Sequence, residues 1–209
     1  AWYHGRLGAK GPPVEAAIDA ARAFVRDDYL RALNAGYLLD PVERTRIAAR
    51  LGALTGLPAS AWLDANLRLD MSAFQAQLLR AQGRTVGAYD GRYVLPTRPS
   101  GNDPVVDDPA MGQYTPGFVG AFNQYAASEL GLRYAERYVP IAWSNVNFKW
   151  DYGFGPGVTV PRNEASPLAT AMRRNPELRV FVAAGYFDLV TSLGAAEYAL
   201  AHVPVARER

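Results

Sequence analysis

The chain has 209 residues, 49% of them hydrophobic and 20% charged, with a formal net charge of +2. That suits one large globular domain, or a core plus an insertion. Scattered rather than clustered basic residues argue against a nucleic-acid footprint, and no apolar run approaches the roughly 18–20 residues of a membrane span. The absence of cysteine excludes disulfides, thiolate catalysis and cysteine-based zinc sites.

Ala1–Gly11 reads as a short irregular start, anchored by Trp2 and Tyr3. It has neither an initiator Met nor a signal-peptide pattern, so the sequence reads as an internal start. Pro12-Pro13 opens a helix, since proline suits a first turn. Val14, Ile18, Ala21, Val25, Tyr29 and Leu33 form its apolar stripe and Gly36 its stop. Asp40-Pro41-Val42-Glu43 opens the next helix as an N-cap, a first-turn proline and an acid three residues after the cap. Ile47, Leu51 and Leu54 extend its inner face to Gly56. A shorter helix is expected around Trp62–Leu67, and Asp70 caps another, burying Phe74 and Leu78 and ending at Gly83. This run of helices resembles a bundle or cap.

Arg84–Val94 then has strand-like residues around an Asp-Gly turn. Leu95–Pro109, rich in Pro, Asp and Gly, reads as a loop. Thr115-Pro116 starts a helix that buries Phe118, Phe122, Tyr125, Ala126 and Leu130 before Gly131. An aromatic stretch from Tyr138 to Val158 follows. Ser166-Pro167 opens a further helix, which Asn175-Pro176 ends.

Arg179–Leu200, RVFVAAGYFDLVTSLGAAEYAL, organises the rest. Its first apolar run suits a strand buried on both faces of a parallel sheet. Gly185 ends that strand, Asp188 sits in the turn beyond it, and helical spacing resumes from Ser192. In open α/β sheets, ligands and catalytic side chains collect outside the carboxyl end of a strand. The plainer reading of Asp188 is a residue that caps a helix or closes a turn.

Four blocks together resemble the bacterial branch of the serine carboxypeptidases, the carboxypeptidase-Y-type peptidases. They are Ile47–Tyr93, Asp108–Gly131, Lys149–Gly153 and Asn175–Tyr198, and their order and spacing agree with the family's. The resemblance implies an α/β-hydrolase fold with a helical insertion, helix-rich as given. Residues 1–95 would be mainly the insertion or cap. Residues 96–209 would hold a linker, a helix and part of the core with its Asp-bearing strand, loop and helix. It further implies a hydrolase that removes C-terminal residues from peptides through an acyl-enzyme, in a periplasmic or secreted setting and with no cofactor. Gly185-Tyr186-Phe187-Asp188 matches the family's Gly-x-x-Asp turn, so Asp188 would orient the catalytic imidazole.

The family's Gly-x-Ser-x-Gly elbow and its Gly-His loop are absent from the chain. The expectation is therefore an internal fragment, inactive alone, that pairs with missing segments or with itself. An esterase or acyltransferase on the same fold, or a non-catalytic helical binding module, are the alternatives.

Other candidates read as structural. His4 and His202 suit packing and a helix C-terminus, and two separated histidines do not make a zinc site. Ser144 lacks elbow glycines, and Asp107-Asp108 reads as a solvated turn. Gly153–Gly157 lacks the context of a phosphate cradle. Trp143, Phe148, Trp150 and Tyr152 would line a pocket or pack the insertion onto the core.

Overall fold

The computed structural model describes residues 1–8, 11–97, 105, 107–133, 138–152 and 163–208. Part of the expected Leu95–Pro109 loop and all of Gly153–Gly157 lie outside them. Helices dominate, and the described residues contain one sheet, of two strands. The chain divides into two units. The first is Ala1–Gly112 with Tyr186–Ser192, and the second is Gln113–Gly185 with Leu193–Arg209. The sequence places a division after residue 95. In the structure the hairpin and the start of the next helix stay with the first unit, which also takes in the Asp188 turn.

The first unit holds the main core. Helix α1, Val14–Phe24, runs into a π-helical turn, Val25–Tyr29, and then into α2, Leu30–Ala35. The sequence reads this stretch as one regular helix with Val25 inside. The wider turn shifts the helical phase. Phe24, ahead of that turn and in phase with Ala17 and Ala21 of α1, is the buried residue, 5% exposed, while Val25 is 40% exposed. The Phe24 and Tyr29 rings stack at 6.0 Å. Tyr29 also donates its hydroxyl to the Leu67 carbonyl at 2.5 Å.

Helix α3, Pro41–Thr55, begins where the sequence places it. Asp40 Oδ1 accepts from the Val42 and Glu43 amides at 2.9 and 3.1 Å. Two orphan donors of the first turn are thereby satisfied. Glu43 does not reach back to complete a capping box; it pairs with Arg46 at 2.7 Å. Gly56 ends α3 at φ +73°, and a Cβ there would lie 2.5 Å from Arg6 Cβ. Glycine suits this stop on both counts.

Two short helices follow, α4 (Ala59–Asp64) and α5 (Met71–Leu78), the second capped by Asp70 through the Ala73 amide at 2.8 Å. Strands β1 (Arg84–Val86) and β2 (Val94–Pro96) pair antiparallel, with Thr85 opposite Leu95. Phe24, Ile47, Leu51, Trp62, Leu67, Leu78 and Val86 belong to one buried cluster.

Helix α6 spans Pro109–Ser128, starting a turn and a half before the Thr115-Pro116 signal and carrying Pro116 inside it. Of the residues expected inside, Ala126 is fully buried. Phe118, Phe122, Tyr125 and Leu130 are 42–69% exposed, because no described element of the second unit covers that face. Helix α7, Ala165–Arg174, ends before Asn175-Pro176 as read from the sequence, and α8 spans Leu193–Ala201. Among the described residues of the second unit, the only buried hydrophobic residues are Ala126, Ala169 and Met172.

The apolar run after Arg179 forms no strand. Residues 179–185 are irregular, without a backbone hydrogen bond among the described residues, and Phe181 is 92% exposed. A strand needs a ladder partner, and the described residues offer none.

Large-to-small substitutions test the π-helical phase. Phe24→Ala is expected to cost about 3–5 kcal/mol, a value typical of a buried phenyl. Val25→Ala is expected to cost less than about 1 kcal/mol. Urea unfolding followed by far-UV circular dichroism measures both. Equal losses would contradict the burial of Phe24 in place of Val25.

Candidate functional site

Asp188 lies in the first unit, in the turn just before α8. Its Oδ1 accepts from the Val190 and Thr191 amides at 2.8 and 2.9 Å, and its Oδ2 accepts from the Thr191 hydroxyl at 2.6 Å. The carboxylate therefore closes its own turn, as the plainer reading has it. An ionised carboxylate offers about four acceptor sites. These three donors leave one site, on Oδ2, for a further N–H.

The flanking residues are held from far away in sequence. Gly91 N–H donates to the Phe187 carbonyl at 2.8 Å, and Leu189 N–H donates to the Ala88 carbonyl at 2.9 Å. The connection between β1 and β2 thus grips the Asp188 turn on both sides. His4 Nε2 donates to the Gly91 carbonyl at 2.7 Å. Arg92 lies over the Phe187 ring at 4.8 Å. It is also bidentate on Asp90, holding that carboxyl below its usual range through the guanidinium hydrogen bonds. Gly87 leaves no room for a side chain, since a Cβ there would lie 2.6 Å from the Asp90 carbonyl oxygen.

A second carboxylate anchors this connection. Asp108 is only 6% exposed. Its Oδ2 accepts from the Ala88 amide at 2.6 Å, and its Oδ1 accepts from Ala110 and Met111 at 2.9 and 3.1 Å. The sequence reads Asp107-Asp108 as a solvated turn. Asp107 is exposed, but Asp108 caps α6 and ties it to the hairpin. The signal was present, because Asp108-Pro109 repeats the Asp40-Pro41 pattern of a cap and a first-turn proline.

No described histidine bonds Asp188. His4 is committed to Gly91, and His202 Nδ1 donates to the Tyr198 carbonyl at 2.7 Å, at the end of α8. Ser144 is exposed in a turn, with no base on its hydroxyl among the described residues. Trp143 and Phe148 rings lie 6.0 Å apart, but Phe148, Trp150 and Tyr152 are 53–77% exposed, so these aromatics do not enclose a pocket. Among the described residues, no group of three His, Cys, Asp or Glu side chains could hold a metal ion, and no helix is long and apolar enough to cross a membrane.

Two measurements test this geometry. Asp108→Ala strips a buried N–H of its acceptor and removes a cap, for an expected loss of about 2–4 kcal/mol. Asp188→Ala removes an exposed turn closure, at about 1 kcal/mol. The reverse order in urea unfolding would contradict the burial of Asp108. In a carboxyl NMR titration, Asp90 should have its midpoint below the ordinary range and rise in Arg92→Ala. With a depressed folded pKa, its contribution to stability is present above about pH 4 and is lost as pH falls through the folded midpoint. An unmoved midpoint would remove Arg92 as the cause.

The chain matches no family model, no curated protein and no solved structure.

Proposed function

We propose that these 209 residues are part of a serine carboxypeptidase-like hydrolase of the α/β-hydrolase fold, with Asp188 as the acid that orients the catalytic imidazole. One observation carries the reading. An irregular, largely apolar segment, residues 179–185, has no backbone hydrogen-bond partner among the described residues and leads directly into the Asp188 turn and then α8. Val180 and Val182 line a cleft with Leu168 and Met172 of α7 and Leu200 of α8. A segment with helices along one side and unmet backbone groups suits a strand of a parallel sheet. An acid just past its carboxyl end is where α/β enzymes place chemistry.

The chemistry follows from the carboxylate. The acceptor site left on Oδ2 would take an imidazole N–H, fixing the tautomer and stabilising the cation formed when the base removes a serine proton. The serine oxygen would attack the peptide carbonyl, the C–N bond would break as the imidazolium protonates the departing amine, and water would then hydrolyse the acyl-enzyme ester to release the acid. The chain has no Gly-x-Ser-x-Gly and no histidine on Asp188, so nucleophile and base would come from polypeptide outside these residues. Such polypeptide would also supply the strands that residues 179–185 need and cover the bare apolar side of α6. The helices from α1 to α5 would belong to the helical insertion.

A fluorophosphonate probe read by intact mass tests the proposal. The 22.8 kDa chain is expected to stay unlabelled. A longer polypeptide that adds an elbow serine and a Gly-His loop is expected to label, and Asp188→Ala should slow that labelling by about 10³–10⁴-fold. Labelling of the 22.8 kDa chain, or an Asp188→Ala variant that labels at the parent rate, would sink the reading.

A further inference from the structure

We infer that Asp108 is a positioning residue for Asp188: its carboxylate fixes the backbone of Ala88, and Ala88 fixes the turn that carries the acid. The role in chemistry rests on the hydrolase reading, whereas the coupling of the two aspartates rests on geometry alone. All of its parts lie in the first unit.

The path is short. Asp108 Oδ2 accepts from the Ala88 N–H at 2.6 Å, and the Ala88 carbonyl accepts from the Leu189 N–H at 2.9 Å. Leu189 directly follows Asp188. The first of these bonds is assisted by charge. Ala88 is only 7% exposed, so its N–H has little water to turn to when the carboxylate is lost. Packing closes the other escape. A Cβ on Gly87 would lie 3.2 Å from both the Cβ and the N of Ala110, a residue that is fully buried. The first turn of α6 therefore sits against the backbone beside Ala88, and a close-packed contact passes displacement on. On the other side of the acid, the Gly91 N–H holds the Phe187 carbonyl. With Phe187 tied there, a shift at Leu189 re-aims the residue between them. Among the described residues, the Asp188 carboxylate bonds only within its own turn, to Val190 and Thr191, so it moves with that turn.

The two oxygens of Asp108 have separate roles. Oδ1 caps α6 through Ala110 and Met111, and Oδ2 takes Ala88. Asp108→Asn keeps an Oδ1 acceptor for the cap and sets an NH₂ group against the Ala88 N–H, donor against donor. Asp108→Ser also keeps a cap, with no second oxygen for Ala88. In the 209-residue chain, amide hydrogen exchange at Leu189 is expected to speed up by roughly tenfold or more in each variant, beyond any change at Ile47 and Leu51 of α3. Unchanged exchange at Leu189, or a rise only in step with Ile47 and Leu51, would overturn the coupling. Should one variant fail to fold, the other decides. In the longer, serine-bearing polypeptide, Asp108→Asn should slow fluorophosphonate labelling by about 10–10²-fold, and should add no further loss to Asp188→Ala. An equal loss in both backgrounds would leave Asp108 a stabilising residue and overturn the positioning role. A longer polypeptide that does not label removes the hydrolase reading alone, and exchange at Leu189 still decides the coupling.

Discussion

The arrangement around Asp188 depends on one buried anion. Asp108 has little contact with solvent and no cationic partner among its three hydrogen bonds, all of them to backbone N–H groups. A buried carboxylate is tolerated only when its lone pairs are taken up. Two of these donors belong to the first turn of α6, where the partial positive charge of a helix end favours an anion. The third, Ala88, belongs to the hairpin connection. The carbonyl of the same Ala88 receives the Leu189 amide. Ala88 thus links the start of α6 to the turn that holds Asp188, its N–H meeting the Asp108 carboxylate and its C=O the Leu189 amide.

Burial is unequal between the two units. The first has a continuous core from Phe24 to Val86, with Ile47 and Val86 fully enclosed. In the second, helices form by local rules without comparable burial among the described residues. Helix α6 has no charged side chain, yet it presents Phe118, Phe122 and Tyr125 to solvent. Local propensity and capping suffice to start a helix, but most helical stability comes from packing an apolar face. Among the described residues, this unit leaves apolar helix faces uncovered and residues 179–185 without a backbone hydrogen-bond partner.

Much of the helical framework was legible in the sequence. Asp40 and Asp70 cap the helices assigned to them, and Gly56, Gly83 and Asn175-Pro176 mark stops where expected. Each of these depends on groups within a few residues of one another. The π-helical turn was not legible, because Val14, Ile18, Ala21, Val25 and Tyr29 fit an unbroken stripe; only the core shows that Phe24 displaces Val25. Asp108 was half legible: its cap pattern is local, but its bond to Ala88 is not. For Asp188 the sequence suggested both a turn residue and a catalytic acid, and the structure describes the turn.

By itself, then, the sequence determined where helices begin and end, and that Asp188 sits in a turn between an apolar run and a helix. Those outcomes follow from short-range hydrogen bonds and backbone geometry. Only the tertiary structure decided which residues of an apolar stripe are buried, that Asp108 is an interior anchor, and that residues 88 and 91 grip the Asp188 turn from both sides. It also decided that residues 179–185 stay unpaired among the described residues, since a strand is completed by a neighbour and not by its own composition. These outcomes depend on groups far apart in the chain, whose meeting is set by packing and by the need of every buried backbone N–H and C=O for a partner.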